Sequence, residues 1–184
     1  MDARRIALVG GGVRSGKSRF AVELGLKLGE RRAFVATATP SDAEMRARID
    51  RHKLDRGGAF ETVEEPVALA DVLGRLDCDV VVVDCVTHWL SNLLIRRLGH
   101  DAILGDVDRV CAALASRRFH SVLVTNEVGM SIHPATELGR AFVEVIGFAN
   151  QRLATVADDL YFAAMGVVMK MTPVVVADRV GGPS

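Results

Sequence analysis

The feature that most constrains this chain is a glycine-rich loop, "GGVRSGKS" at residues 11–18, which follows the apolar run "RIALV" and precedes a stretch with helical periodicity. The loop fits G-x-x-x-x-G-K-[ST] in the strand, loop and helix context that this pattern requires. Its glycines let backbone amides turn inward around phosphate oxygens, and the start of the following helix adds the positive end of its dipole. The loop therefore predicts an α/β domain that binds a nucleoside triphosphate.

Within this loop, each side chain has an expected task. Lys17 is expected to bridge the β- and γ-phosphates, and the Ser18 hydroxyl is expected to bind Mg²⁺. Arg14 either reaches a phosphate or faces solvent. Asp84 ends the buried run "DVVVVD" and is predicted to organise the metal with Ser18, although a strand-end carboxylate can also be a simple cap. The candidate nucleotide contacts in the loop are Gly11, Gly12, Val13, Arg14, Ser15, Gly16, Lys17 and Ser18.

Short runs rich in β-branched or aromatic residues alternate with stretches in which apolar residues recur three and four positions apart. This alternation predicts a mainly parallel sheet with helices on both faces. The run 167–171 follows the turn "MG" so closely that we expect an antiparallel C-terminal edge strand. The predicted class is thus α/β, a three-layer P-loop NTPase (RecA-like) domain. The predicted strands are 5–9, 32–37, 79–84, 121–126, 159–164 and 167–171, and the predicted helices are 18–29, 41–54, 66–76, 86–98, 101–118 and 136–157.

Composition narrows the class of protein further. With 184 residues, of which 49% are hydrophobic, the chain suits a single domain over 1–184, and the order of the tail 172–184 is left open. Lys and Arg together number 23, as do Asp and Glu, and this balance argues against a nucleic-acid partner. No run approaches the roughly 18 apolar residues of a membrane span, and the three cysteines form no C-x-x-C pair. We expect a cytoplasmic protein with buried, reduced thiols.

A second unusual stretch is "RARIDRHKLDR" at residues 46–56, where His52 stands among basic side chains. A charge run of this kind is ordinarily a solvated helix face. In a chain that binds a triphosphate, a neutral imidazole is also a competent nucleophile toward phosphorus. The residues alone leave three further roles open for His52, namely stacking on a base, bonding a phosphate or facing water. The stretch contains four arginines and a lysine, and those nearest to His52 in sequence are Arg48, Arg51, Lys53 and Arg56.

Six motifs follow one another in the order and spacing of a known family. They are "GGVRSGKS", "ATATPSDAEMRARIDRHK", "TVEEP", "VVVDCVTHWLSNLL", "VTNEVGM" and "GRAFVEVIGFANQRLATVADDLYF". From residue 5 to about 171 the chain resembles the bifunctional adenosylcobinamide kinase/adenosylcobinamide-phosphate guanylyltransferase family of cobalamin biosynthesis. The resemblance implies that ATP or GTP phosphorylates adenosylcobinamide, and that GMP from GTP then passes through a histidine to give adenosylcobinamide-GDP. The guanylylated histidine of the family falls on His52.

The resemblance also implies nucleotide contacts outside the loop, at Thr37, Ala38, Thr39, Lys53, Leu54, Asp55, Arg56, Glu64 and Asp84. Glu64 has the chemistry to accept N–H bonds from a guanine edge, whereas Glu65 equally suits the start of a helix. GTP, ATP and Mg²⁺ are the implied cofactors, the corrinoid is the implied substrate, and the implied assembly is a homo-oligomer, a trimer in relatives.

Asn126 and Glu127 follow a predicted strand at the edge where open α/β sheets bind ligands. They are candidates for contact with the corrinoid arm or a bound water, or they are ordinary turn residues. Ser131 and His88 depart from the family pattern, and Trp89 suits either the core or a subunit contact. Two other functions stay open: a monofunctional small-molecule kinase without a nucleophilic histidine, and a RecA-like nucleotide switch.

Overall fold

A computed structural model of the chain describes residues 3–39, 57–96, 98–130 and 133–172. The helix predicted over 41–54, with His52, lies outside the described residues. The strands are β1 (Ile6–Gly11), β2 (Arg32–Ala36), β3 (Glu61–Glu64), β4 (Val80–Asp84), β5 (His120–Val124), β6 (Asp159–Ala164) and β7 (Val167–Met171). The helices are α1 (Lys17–Leu28), α2 (Leu69–Arg75), α3 (Val86–Ile95), α4 (His100–Ala115) and α5 (Glu137–Val156).

These seven strands form one sheet in the order β3-β2-β4-β5-β1-β6-β7. Every neighbouring pair from β3 to β6 is parallel, and only β6 and β7 are antiparallel. This confirms the predicted mainly parallel sheet with an antiparallel C-terminal edge. Because the parallel strands all end at the same edge, the segments that follow β1, β2, β3, β4 and β5 are brought together there.

Alternating strand residues supply two apolar layers. Ile6 and Leu8 of β1 pack in the layer beneath α2, α3, α4 and α5, whereas Ala7 and Val9 pack in the layer beneath α1. Both faces of the sheet are covered, which explains why the strands read as continuous apolar runs rather than alternating ones. Trp89 is buried in the first layer, and its indole Nε1 donates to the carbonyl oxygen of Val67 at 2.7 Å. Of the two roles that the sequence left open for Trp89, the structure therefore shows the one in the core.

Strand β3 was not predicted from the sequence. In β3, "ETVE", only Val63 is apolar and it is half-buried, because β3 is an edge strand that contacts β2 alone. A four-residue run of this composition carries no signal of burial. The next helix, α2, begins at Leu69 and not at residue 66 as the sequence predicts. The Glu65 carboxylate accepts the N–H groups of Val67 and Ala68, each at 2.8 Å. Glu65 therefore closes the turn that leads into α2.

Candidate phosphate site at the carboxyl edge of the sheet

The glycine-rich loop runs from β1 into α1 and turns at Gly16, which has a left-handed φ of 99° and precedes the first helical residue. Lys17 is only 6% exposed, and its Nζ donates to the carbonyl oxygen of Gly12 at 2.6 Å. The ammonium group thus folds back over the loop instead of extending into solvent. Val13 and Arg14 at the tip are exposed. These are the parts that a phosphate cradle needs: loop amides, the start of a helix and one buried cation.

Neighbouring segments hold the loop from two sides. The N–H of Glu127 donates to the carbonyl oxygen of Gly11 at 3.1 Å, and the N–H of Gly166 donates to that of Ser15 at 3.2 Å. Gly11 pairs with Ala163 of β6 and has a φ of 142°, so a side chain there is both strained and obstructed. The geometry of the loop is therefore imposed by β6, by the turn after it and by the segment after β5.

Asp84 ends β4 at the same edge, half-buried and joined to Cys85 by a cis peptide bond. Burial raises the pKa of the Cys85 thiol to about 12, the negative charge of Asp84 adds to the increase and the positive charge of Lys17 opposes it. Asp84 and the loop after β1 lie at the same edge of the sheet, because β4 and β1 both pair with β5 and end beside Val124. The structure thus brings the candidate acidic group to the edge of the sheet at which the phosphate loop begins, and the roles of Asp84 and Lys17 in binding stay predictions.

The donor set at this edge fits Mg²⁺. A serine hydroxyl and a carboxylate, Ser18 and Asp84, are hard oxygen ligands of the type that Mg²⁺ prefers, with the remaining positions filled by phosphates and water. Within the described ranges no three His, Cys, Asp or Glu side chains group into a metal cage. The role of Ser18 and Asp84 as metal ligands stays a prediction.

The turn after β2 is tied to the end of β4. Thr37 is fully buried, and its hydroxyl donates to the carbonyl oxygen of Cys85 at 2.7 Å and accepts from the Cys85 N–H at 2.9 Å. Asn92 donates to the carbonyl oxygen of Thr37 at 2.8 Å. The hydroxyl of Thr37 is therefore used within the protein. Ala38 is half-buried and Thr39 is exposed, so these two present more surface at the edge than Thr37 does.

Two further acidic positions reach this edge. Glu64 is exposed at the end of β3 and lies in register with Ala36 of β2. Asn126 and Glu127, both half-buried, follow β5. The Glu127 carboxylate accepts the N–H of Gly129 at 2.9 Å, which closes a tight turn. The structure thus brings Glu64, Asn126 and Glu127 to the carboxyl edge with the loop, and their contacts with ligands stay predictions.

Three polar residues beside this segment were not singled out from the sequence, namely Thr87, Thr125 and Asn150. They bond to one another and to Asn126. Asn150 lies in "GRAFVEVIGFANQRLATVADDLYF", one of the six motifs that carry the family resemblance, and this motif was the signal that could have identified it. The predicted site residues at 52–56, His52, Lys53, Leu54, Asp55 and Arg56, lie outside the described residues, as does Ser131.

Comparison with known proteins identifies a family. The model of the family described as "Cobinamide kinase / cobinamide phosphate guanyltransferase" matches residues 7–171. A relative from Pseudomonas aeruginosa, the bifunctional adenosylcobalamin biosynthesis protein CobP, is 35% identical over 171 residues, covering 89% of this chain and 95% of the relative. The bifunctional protein CobU of Escherichia coli is 36% identical over 179 residues, covering 89% and 98%.

Among solved structures, the RadB recombinase superposes with a TM-score of 0.51 at 20% identity, covering 87% of this chain and 74% of RadB. At this identity the likeness concerns the fold alone, and it supports the RecA-like class. No helix in the described part of the chain combines the length and apolarity needed to cross a membrane. The family match spans nearly the whole sheet and includes the phosphate loop. The chain therefore belongs to the cobinamide kinase/cobinamide phosphate guanyltransferase family of enzymes.

Proposed function

We propose that this enzyme of cobalamin synthesis catalyses two successive transfers to one corrinoid. In the first, the hydroxyl of adenosylcobinamide takes the γ-phosphoryl group of ATP or GTP. In the second, GMP from GTP is carried on His52 and passed to adenosylcobinamide phosphate, which gives adenosylcobinamide-GDP. The observation that carries the proposal is the buried Lys17 folded over the loop at the edge where Asp84 ends β4, in a chain of this family.

The kinase step requires positioning and charge stabilisation more than covalent chemistry. Lys17 and the loop amides would hold the β- and γ-phosphates, and the start of α1 adds the positive end of its dipole. Ser18 and Asp84 would hold Mg²⁺, which supplies neutralisation of the charge that develops on the phosphates. The acceptor hydroxyl loses its proton as its oxygen bonds to the γ-phosphorus, and the nucleoside diphosphate leaves.

The guanylyl step requires a nucleophile, and His52 has the right chemistry. An imidazole nitrogen attacks the α-phosphorus of GTP, pyrophosphate leaves and a phosphoramidate remains. A phosphate oxygen of adenosylcobinamide phosphate then attacks the same phosphorus, and the imidazole leaves as the product forms. The basic neighbours of His52 in the sequence, such as Arg51 and Lys53, suit the charge that builds on the phosphoryl oxygens. The role of His52 rests on the family resemblance and on this composition.

The test separates the two transfers. His52→Ala is expected to abolish formation of adenosylcobinamide-GDP while leaving measurable phosphorylation of adenosylcobinamide, because the γ-phosphoryl group needs no enzyme-bound intermediate. GTP labelled at the α-phosphate is incubated with each protein, and the labelled peptide is mapped by mass. His133→Ala, which removes an exposed histidine, is the matched control and should label like the wild type.

The chemical character of the label provides a second criterion. A phosphoramidate is cleaved by acid and largely spared by alkali, and pyrophosphate should remove the label and regenerate GTP. A label on serine or threonine, a label that resists acid, or an active His52→Ala variant contradicts the covalent role. Phosphorylation of adenosylcobinamide with no labelling of the wild type identifies a monofunctional kinase instead.

A further inference from the structure

Four residues from α3, α5 and the end of β5 form a closed ring of hydrogen bonds beside the phosphate loop. The Asn126 N–H donates to Thr87 Oγ1 at 2.7 Å, and the Thr87 and Thr125 hydroxyl oxygens lie 3.4 Å apart. Thr125 Oγ1 donates to Asn150 Oδ1 at 2.7 Å, and Asn150 Nδ2 donates to the carbonyl oxygen of Asn126 at 3.2 Å. We call this set, Thr87, Thr125, Asn126 and Asn150, the polar ring.

The direction of each bond in the polar ring follows from the chemistry of its members. The carbonyl oxygen of Asn126 can only accept, so Asn150 must turn its amide nitrogen toward it and its amide oxygen toward Thr125. The single hydroxyl hydrogen of Thr125 is then used on Asn150, and the bond between the two hydroxyls has to be donated by Thr87. Each member both donates and accepts once around the ring, an arrangement in which neighbouring bonds polarise one another. The 3.4 Å contact is its weakest bond.

The polar ring fixes a short piece of backbone. Both the N–H and the C=O of Asn126 are held by side chains of two different helices, α3 and α5. The residues on either side of Asn126 are bound to β1, because the Thr125 N–H donates to Val9 at 3.0 Å and the Glu127 N–H donates to Gly11 at 3.1 Å. Residues 125–127 therefore cannot shift without moving the phosphate loop or breaking the polar ring.

Placement of the polar ring indicates more than a packing role. Thr87 and Thr125 are only 5% and 2% exposed, so their hydroxyls are desolvated and each would cost stability if left unpaired. Apolar side chains would join α3 and α5 to the sheet without that cost, as they do elsewhere in the same core layer. The polar set occurs at the carboxyl edge, immediately beside a residue that bonds to the phosphate loop, which is where ligand contacts require precise backbone placement.

We infer that the polar ring holds Asn126 and Glu127 in the position from which they contact the phosphoryl acceptor and orient it toward the phosphate loop. Thr87, Thr125 and Asn150 are positioning residues that act through the backbone of Asn126. The inference rests on the proposed function, since it assumes that the acceptor of the kinase step is the corrinoid hydroxyl.

The experiment uses pairs of substitutions in the full-length protein. Thr87→Val and Thr125→Val keep the side-chain volume and remove a hydroxyl, whereas Thr87→Ser and Thr125→Ser keep the hydroxyl. Asn150→Asp retains an acceptor for Thr125 but sets a carboxylate oxygen against the carbonyl of Asn126. Gln151→Ala, at an exposed position of α5, is the matched control. Steady-state phosphorylation of adenosylcobinamide gives kcat and KM for the acceptor, and a fluorescent GTP analogue gives the nucleotide Kd.

For the Val variants and Asn150→Asp we expect kcat/KM for the acceptor to fall by about tenfold to a hundredfold, because a misplaced acceptor loses its alignment with the γ-phosphorus. The nucleotide Kd should change by less than about threefold, since the loop amides and Lys17 are untouched. The Ser variants should recover most of the rate. Thermal unfolding is measured in parallel, with a decrease of several degrees expected for the Val variants.

The outcomes are distinct. If the wild type phosphorylates adenosylcobinamide and the Val variants are equally active, the inference is overturned and the proposed function stands. Two results would identify a purely structural role and would also overturn the inference. In the first, kcat/KM for the acceptor and the affinity for the nucleotide fall together; in the second, the Ser variants are as impaired as the Val variants. A wild type that binds the nucleotide but transfers no phosphoryl group to adenosylcobinamide overturns the proposed function, and the inference with it.

Discussion

Substitution of Gly11 by alanine should disrupt the join between the phosphate loop and the sheet. A Cβ added at Gly11 would stand 2.2 Å from the carbonyl oxygen of Ala163, whereas real Cβ contacts stay beyond 3.0 Å. The obstacle is backbone in the neighbouring strand β6, so β1 and β6 have to separate by roughly 0.8 Å. Because Gly11 forms the last pair of the two strands, the distortion is transmitted directly into the loop.

Two terms set the magnitude. A non-glycine residue held at a φ of 142° costs about 1–3 kcal/mol. A weakened hydrogen bond between β1 and β6 adds about 1 kcal/mol. We therefore expect Gly11→Ala to lower the free energy of unfolding by about 2–4 kcal/mol, which corresponds to a decrease in Tm of roughly 5–15 °C for a chain of this size.

Urea unfolding followed by circular dichroism measures this change, with Gly12→Ala as the matched control. A Cβ added at Gly12 meets no atom within 4 Å, so the same substitution one residue later should alter the unfolding free energy by less than about 1 kcal/mol. If the two variants agree within about 0.5 kcal/mol, the contact between Gly11 and Ala163 does not determine the conformation of the loop.

Two further predictions concern the charged and titratable groups of the edge. Lys17→Ala should reduce kcat/KM of both transfers by about a hundredfold or more while circular dichroism stays that of the wild type, because each transfer begins with a held triphosphate; wild-type rates for both steps would contradict the site. Since the pKa of Cys85 is raised to about 12 from 9.0, the folded protein retains a proton that the unfolded chain releases. The protonated Cys85 thiol therefore contributes fully to stability below about pH 9, and this contribution is lost as the pH rises toward 12. We expect the unfolding free energy of the wild type to decline relative to that of Cys85→Ala between pH 9 and 11. Urea denaturation measures both free energies, and a difference between the two proteins that stays constant from pH 9 to pH 11 would show that the thiol is not desolvated.

The phosphate loop could be predicted from the sequence because its signal is local. The residues "GGVRSGKS", the strand before them and the helix after them are contiguous, and the parallel topology then places Asp84 at the same edge. The buried strands were equally readable as apolar runs. Strand β3 was not, because an exposed edge strand made of Glu, Thr, Val and Glu gains its structure from pairing with β2 rather than from its own composition.

Polar partners distant in sequence were beyond prediction for a different reason. Thr37 was predicted to contact the nucleotide, and the structure shows its hydroxyl bonded to Cys85, which is 48 positions away. The bonds of Asn150 to Thr125 and Asn126 join residues 25 and 24 positions apart. Such pairs are created by the adjacency of β2 with β4 and by the docking of α5 on the sheet. Residue type alone gives no indication of which hydroxyl is used internally and which is offered to a ligand.

Each of the two proposed transfers uses its own nucleoside triphosphate bound at the same loop, and the two attack different phosphorus atoms, γ in the kinase step and α in the guanylyl step. If the loop, which β6 and residue 127 hold in place, binds the triphosphate of both steps in the same position, it cannot by itself select which phosphorus reacts. That selection has to come from the group that approaches: the acceptor hydroxyl along residues 126–127, or the imidazole of His52. Loss of Lys17 should therefore impair both transfers, and loss of His52 only the second. Loss of the polar ring should impair the first through the acceptor and not through the nucleotide, a pattern that no single defect in nucleotide binding can produce.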